Sequence, residues 1–376
     1  MTQLGIGLIG TGFMGKCHAL AWNAVRPTFG GDLPRPKLAV VCAGTEAEAE
    51  EAAAAFDIGR WTLDWREVVA DPAVAAVSIA APNHLHCEIA LAALSAGKHV
   101  WCEKPMAISL ADAEAMAAAA ATAPGRTIIG YNYVQNPLLQ QARRLIRDGG
   151  IGRVTQFRCC MDEDFMAEAA TPWGLKDDRR SGYGVLDDFG SHMVGLAHFL
   201  VGEVAEVAAV CDRPFASRPV AAGSAEVREV ETQDIASALL RFASGVTGSL
   251  AASRAAWGRK SGLCFEVHGD RGTIRFDQER PNEIHLFVAG EDPETGGFRR
   301  ILTGPQHPPY DAFCPAPGHG LGFNDLKVIE ARHFLRVIAG EEPAVFDFAE
   351  GVKVERVVHA LARSAAERRW VEVAGA

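Results

Sequence analysis

The chain has 376 residues, more than a single domain of ordinary size holds, and its 48% hydrophobic and 22% charged residues exclude a disordered or fibrous chain. With 37 Lys+Arg against 47 Asp+Glu the net charge is -10, and no basic run is present to neutralise a row of phosphates, so no nucleic acid is expected as a partner. The apolar stretches 74–81 and 117–121 are too short to span a bilayer, so no membrane partner is expected either. The N-terminal run Met1-Thr2-Gln3-Leu4-Gly5 has no basic segment ahead of an apolar one, and the nine cysteines contain no C-x-x-C pair. Both features lead to the expectation of a cytoplasmic protein with free thiols.

In chain order, residues 4–9, 38–42, 76–80, 99–102 and 127–130 are short continuous apolar runs, the pattern of strands buried on both faces. Helical stretches at 46–56, 87–96 and 110–122 separate them, which predicts a parallel sheet with crossover helices. From residue 132 the rhythm changes. A helix over 138–147 is followed by alternating runs at 154–160, 235–242, 246–253, 263–267, 273–276 and 284–288, several joined by tight Gly-containing turns, and helices are expected at 325–339 and 348–369. The expected architecture is therefore α/β: an N-terminal domain with a Rossmann-type parallel sheet over 1–131, and a C-terminal α+β domain with a large, mostly antiparallel sheet over 132–376. The Pro/Gly-dense segment 304–322 is long for a connection and reads as a binding loop or as an oligomer contact.

Gly10-Thr11-Gly12-Phe13-Met14-Gly15 follows the first strand and opens a helix. This is the G-x-G-x-x-G context in which glycines permit a tight turn and close approach to a pyrophosphate at a helix N-terminus. Where an acid usually holds the adenosine ribose, the second strand ends Cys42-Ala43-Gly44-Thr45, with Glu46 the first acid and no Arg close by. NAD is favoured and NADP stays possible. Ala81-Pro82-Asn83-His84-Leu85-His86 and Glu103-Lys104-Pro105 lie at the carboxyl ends of the third and fourth strands, the ligand edge of such sheets. His84 and His86 lack a third ligand, and no metal is expected. Lys104 is placed to reach cofactor and substrate, although most lysines are simply solvated.

Later in the chain Phe189, Met193, Leu196 and Leu200 form one helical stripe, with Asp188 and His192 together at its edge among the small residues Ser181, Gly184, Ser191 and Gly195. The carboxylate can orient the imidazole and raise its basicity, so the spacing suits a catalytic pair as well as a structural one.

The glycine motif, Pro82 to His86, Glu103-Lys104-Pro105 and Asp188 to His192, in this order, resemble the Gfo/Idh/MocA family of NAD(P)-dependent sugar and polyol oxidoreductases over the whole chain. Gly12 to Lys16, Pro82 to His86 and Gly320 to Lys327 are similar to the branch containing levoglucosan and inositol dehydrogenases. The resemblance implies hydride transfer between nicotinamide and a secondary hydroxyl of a sugar, anhydrosugar or inositol. His192 is then the general base, Asp188 its orienter, and Lys104 the group on the reacting oxygen. It also implies cofactor contacts from Gly10, Gly12, Phe13, Met14, Ala43, Thr45, Ala81, Pro82, Asn83, His86, Glu103, Lys104, Asn132 and Trp173. Substrate contacts are implied from Lys104, Tyr133, Asp188, His192 and, in the 304–323 loop, His319. Relatives often carry Arg after the Trp173 position, whereas Gly174 stands here with Lys176 two residues on, and Val134-Gln135 replace a common basic residue. The first is a departure from the relatives' substrate contacts, and the second, by making the pocket less charged, suits a neutral sugar. The resemblance further implies a dinucleotide-binding domain over 1–131, a substrate-binding and oligomerisation domain over 132–376, and a homodimer or homotetramer. The alternatives are an enzyme that retains its cofactor and uses transient oxidation for elimination, epimerisation or glycoside cleavage, and a non-catalytic sugar or cofactor sensor.

Overall fold

The computed structural model describes residues 3–375 apart from 32, 291 and 293. Met1, Thr2 and Ala376, which begin and end the expected domain ranges, lie outside them.

The chain opens with β1 (Gln3–Ile9), α1 (Phe13–Phe29), β2 (Arg35–Cys42), α2 (Glu46–Ala55), β3 (Trp61–Thr62), α3 (Trp65–Ala70), β4 (Ala76–Ile79), α4 (His86–Ser95), β5 (His99–Cys102), α5 (Leu110–Thr122) and β6 (Thr127–Ile129). The strands pair in parallel in the order β3-β2-β1-β4-β5-β6. Leu4 to Ile9 and all of β4 are buried, as their unbroken apolar sequences require. Helix starts are written locally: Thr45 and Glu48 form a capping box on α2, Asp64 caps α3 and Ser109 caps α5. The sequence pattern misses β3 and α3, because a two-residue strand and a six-residue helix are too short to show a period.

The chain continues with α6 (Pro137–Arg147), β7 (Val154–Asp162), α7 (Ser191–Leu200), β8 (Val204–Asp212), β9 (Ser217–Pro219), β10 (Val227–Glu229), β11 (Ile235–Phe242), β12 (Thr247–Ser253), β13 (Cys264–Gly269), β14 (Gly272–Asp277), β15 (Glu283–Val288), β16 (Arg299–Leu302), α8 (Phe323–Ala339), α9 (Phe348–Glu367) and β17 (Val371–Glu372). Nine strands form one sheet, β16-β15-β14-β13-β7-β12-β11-β8-β17, in which β7 and β12 run parallel and the other pairs antiparallel; β9 and β10 make a separate ribbon. The sheet is larger than the sequence pattern shows. β8 hides its alternation among alanines, while β9, β10, β16 and β17 are short. Along β11 burial alternates strictly, with Ala236, Ala238, Leu240 and Phe242 turned to the core.

The chain packs as two compact units, and the division differs from the expected 1–131 and 132–376. One unit runs to Gln135 and takes back Leu321–Val352, and the other holds Asn136–Gly320 and everything from Lys353 onward. The returning segment belongs to the first unit for physical reasons. The Ile129 N–H donates to the Phe346 carbonyl (2.9 Å), the Phe348 N–H donates to Thr127 Oγ1 (3.2 Å), and α8 carries Lys327 into a buried ion pair with Glu103. Among the described residues no helix is long and apolar enough to cross a membrane.

Candidate active site

In the first unit, the residues expected to hold a dinucleotide stand in the turns that follow β1, β2, β4, β5 and β6. Gly10 has φ +102°, and a Cβ there would run into the Ala80 carbonyl; a Cβ on Gly15 would strike the Gly10 carbonyl. Gly12 is different, because nothing lies within 4 Å of where its Cβ would stand. That open space adjoins the start of a 17-residue helix with no acidic residue in its first turn and no side chain capping it. The first-turn N–H groups and the helix dipole are therefore available to an anion, and this cradle fits the pyrophosphate of NAD. Phe13 projects beside it, 69% exposed, with its ring 5.7 Å from Phe323; Tyr133 meets Phe323 edge-on at 6.4 Å. Thr45 is committed to its capping box, donating both N–H and Oγ1–H to Glu48 (3.1 and 2.9 Å).

His86 is buried, with Nδ1 2.9 Å from the Pro105 carbonyl and Nε2 3.0 Å from the Ala81 carbonyl. Burial pushes its pKa down, so the ring is neutral and donates to one carbonyl at a time. Its imidazole thus ties the turn after β4 to the turn after β5, where the Lys104–Pro105 peptide is cis. Lys104 is partly exposed, whereas Glu103 points inward and is buried. The His18 Nε2–H donates to Glu103 Oε1 (2.8 Å), the wholly buried Lys327 ammonium pairs with the same carboxylate, and Lys327 also donates to Glu330 (2.7 Å). Burial alone would raise the Glu103 pKa, but Lys327 and His18 hold it far below the usual range; burial pushes Glu330 up to about 7. His18 stacks on Trp101 at 3.9 Å, which closes the group from water. Neither His18 nor Lys327 is recognisable as part of a site from sequence. A lone His and Lys on separate helices give no signal until Glu103 is seen to face inward.

In the second unit Asp188 stands in a π-helical turn, Leu186–Gly190, that runs directly into α7. This departs from the regular wheel expected across the segment and re-aims the side chains around Asp188 and His192; such turns recur at functional sites. Gly184 (φ +86°) allows the entry, since a Cβ there would collide with the Gln233 backbone, to which Val185 N–H donates (2.8 Å). Ser191 Oγ–H donates to the Asp187 carbonyl (2.6 Å) and steadies the turn. His192 is buried, while the Asp188 side chain is 21% exposed and is gripped by Lys176, with an Arg254 guanidinium nitrogen 3.9 Å away. Arg254 is itself fixed by the buried Asp234 (2.7 and 3.0 Å) and by Thr232 Oγ1 (3.2 Å). The cation on Asp188 is thus Lys176, two residues beyond Gly174. Arg254 leaves no signal in the sequence beyond a charge placed just past the end of β12.

Trp173 lies against the β9–β10 ribbon. Its indole N–H donates to the Glu229 carbonyl (2.9 Å), and the Arg228 guanidinium covers one ring face at 3.5 Å. His319 is exposed in a loop hung on the buried Tyr310, whose hydroxyl donates to the His319 carbonyl (2.6 Å) and accepts from its N–H (3.1 Å). The expected residues thus fall into two groups. Gly10 to Tyr133 sit along the carboxyl edge of the parallel sheet, and Trp173, Asp188, His192 and His319 belong to the second unit.

A six-stranded parallel sheet in this order, with an anion cradle after β1, defines a dinucleotide-binding Rossmann unit. Residues 4–131 match the description "Oxidoreductase family, NAD-binding Rossmann fold", and 139–275 match "GFO/IDH/MocA C-terminal domain". The chain is 37% identical to levoglucosan dehydrogenase of Pseudarthrobacter phenanthrenivorans over 99% of both chains, and 26% identical to inositol 2-dehydrogenase of Rhizobium meliloti over 98% of both. A solved levoglucosan dehydrogenase in complex with NADH and levoglucosan superposes with a TM-score of 0.95 at 37% identity, covering 99% of this chain and 100% of that one. The chain belongs to the Gfo/Idh/MocA family: it is an NAD-binding oxidoreductase of the sugar and polyol dehydrogenase group.

Proposed function

We propose that the protein oxidises a secondary hydroxyl of a neutral sugar, an anhydrosugar above all or an inositol, and releases NADH at each turnover. The observation that carries this reading is the Asp188 carboxylate set between Lys176 and Arg254, one turn ahead of the buried His192. His192 takes the hydroxyl proton, and Asp188 orients the ring. Lys104 donates to the reacting oxygen and stabilises charge as the proton leaves. Lys176 neutralises Asp188, leaving a pocket without the extra cation that a sugar acid or phosphate would demand. NAD supplies the hydride acceptor. The turns at Gly10–Met14, Ala43–Thr45, Ala81–Asn83 and Asn132 hold it, with Trp173 a further contact, and Tyr133 and His319 contact the sugar. His86 and Glu103 belong to the cofactor site, His86 tying together the turns around Lys104 and Glu103 being held at Oε1 by His18 and Lys327.

The nine free cysteines suit a reducing compartment such as the cytoplasm. Assembly as a homodimer or homotetramer belongs to the same reading and rests on the outer face of the large sheet, where Val210 and Leu239 stand 69% and 54% exposed.

The experiment is NADH formation by the purified protein with NAD+ and a panel of levoglucosan, inositols, pyranoses and sugar acids. Multiple turnovers on a neutral member support the reading. Formation stopping at one equivalent of bound NADH would point to a retained cofactor, and no formation with any member would overturn the reading.

A further inference from the structure

Behind Asp188 and Lys176 lies a set of charges more deeply buried than either. The Arg254 guanidinium donates to Asp234 from Nε (3.0 Å) and Nη2 (2.7 Å), and both bonds converge on Oδ1 of the carboxylate. A guanidinium that spread its fork over both oxygens would make the stronger pair. Here Asp234 Oδ2 has no hydrogen-bond partner among the described residues, with Arg218 Nη2 4.0 Å away, and the remaining Arg254 nitrogen, Nη1, stands 3.9 Å from Asp188 Oδ2. Arg254 Nη2 also donates to the Lys176 carbonyl (3.4 Å), which accepts a shorter bond from Thr232 Oγ1 (2.7 Å). On the next residue, Asp177 is held by the wholly buried Arg218 (3.1 Å). Buried ion pairs add little stability over apolar packing of the same volume, so stability alone does not account for this set.

We propose that Arg254 is a positioning residue, fixing which oxygen of Asp188 serves His192; the inference rests on the reaction proposed above. Lys176 and Arg254 both approach Oδ2, so rotation of the carboxylate is stopped with Oδ1 turned away from the two cations. One guanidinium governs both of them. Asp234 aims its Nη1 at Asp188, and its Nη2 ties down the main chain that carries Lys176. Arg254 therefore acts through Asp188 and needs no contact with the sugar. A lysine at this position would keep the charge beside Asp234, but with one nitrogen in place of three it could not hold Asp234 and the Lys176 carbonyl while still facing Asp188.

The test is a double-mutant cycle in steady-state NADH formation by the full-length protein, with R254K and D188N made singly and together. R254K should lower kcat by about 10–100-fold with the KM for NAD unchanged, and in the D188N background it should cost less than about twofold, because the carboxylate it positions is gone. A purely structural role would lower kcat by the same factor in both backgrounds. That additivity, or native kcat in R254K, overturns the inference and leaves the role of Asp188 intact, whereas native-like kcat in D188N breaks the underlying reading and the inference with it. If R254K does not fold, Thr232→Val, which releases the Lys176 carbonyl, enters the same cycle with a smaller loss expected in the native background and none in D188N. The crystal structure of the folded variant decides even without turnover: Asp188 rotated off Lys176 supports the inference, and Asp188 unmoved overturns it.

Discussion

Two carboxylate–lysine pairs anchor this molecule, one in each unit, and they differ in what surrounds them. Glu103 and Lys327 are sealed, the lysine with no exposed side-chain surface, and His18 and Glu330 take up the remaining hydrogen bonds. Asp188 and Lys176 are open, the lysine side chain 52% exposed. The sealed pair can contribute only architecture: it joins α1, the end of β5 and α8, and so sets the turn from which Lys104 projects. The open pair keeps a carboxylate within reach of a ligand, beside an imidazole. The same two charges thus behave differently according to burial, because desolvation makes a buried charge intolerant of losing its partner while an exposed one tolerates exchange.

Breaking each centre should give opposite signatures. The largest effect is expected from His192→Ala, which removes the proposed base and should lower kcat/KM by about 10²–10⁴-fold in steady-state assays. Lys327→Met should do the reverse. Glu103 is left buried without its cation, and urea unfolding should report a loss of about 3–5 kcal/mol. Glu330 sharpens the contrast through pH. Its carboxyl keeps a proton up to about 7 in the folded state but releases it near 4.5 when unfolded. The folded protein therefore binds more protons across that window, and stability falls as pH rises through it. Glu330→Gln should flatten that decline, read as a smaller fall of the urea midpoint between about pH 5 and about pH 8 than in the native protein. Glu103 acts with the opposite sign, because its pKa is lowered and its contribution disappears as pH falls into the acid range. The smallest effect on stability is expected from Lys176→Ala, within about 1 kcal/mol because the pair is exposed. Its activity should fall much more than its melting temperature.

The sealed centre also shows why some features were legible in sequence and others were not. Glu103-Lys104-Pro105 and Asp188 to His192 could be read because each motif is contiguous or one helical turn long. The Rossmann strands could be read because burial on both faces leaves unbroken apolar runs. Lys327 lies 224 positions from Glu103, so no local pattern links them, and the return of Leu321–Val352 to the first unit is invisible for the same reason. The π turn at Leu186–Gly190 depends on Gly184 meeting Gln233, a contact that exists only after β11 is placed. Arg254 follows the same logic, since its role appears only once Asp234 and Thr232 are beside it.

The most direct test compares multiple-turnover NADH formation on an anhydrosugar by the native protein, Lys104→Ala and His192→Ala, each first shown to share the native urea midpoint. The account predicts sustained formation by the native protein and a loss of at least about a hundredfold in both variants. Native-like turnover by either folded variant would contradict the assignment of proton and oxygen handling to these two residues.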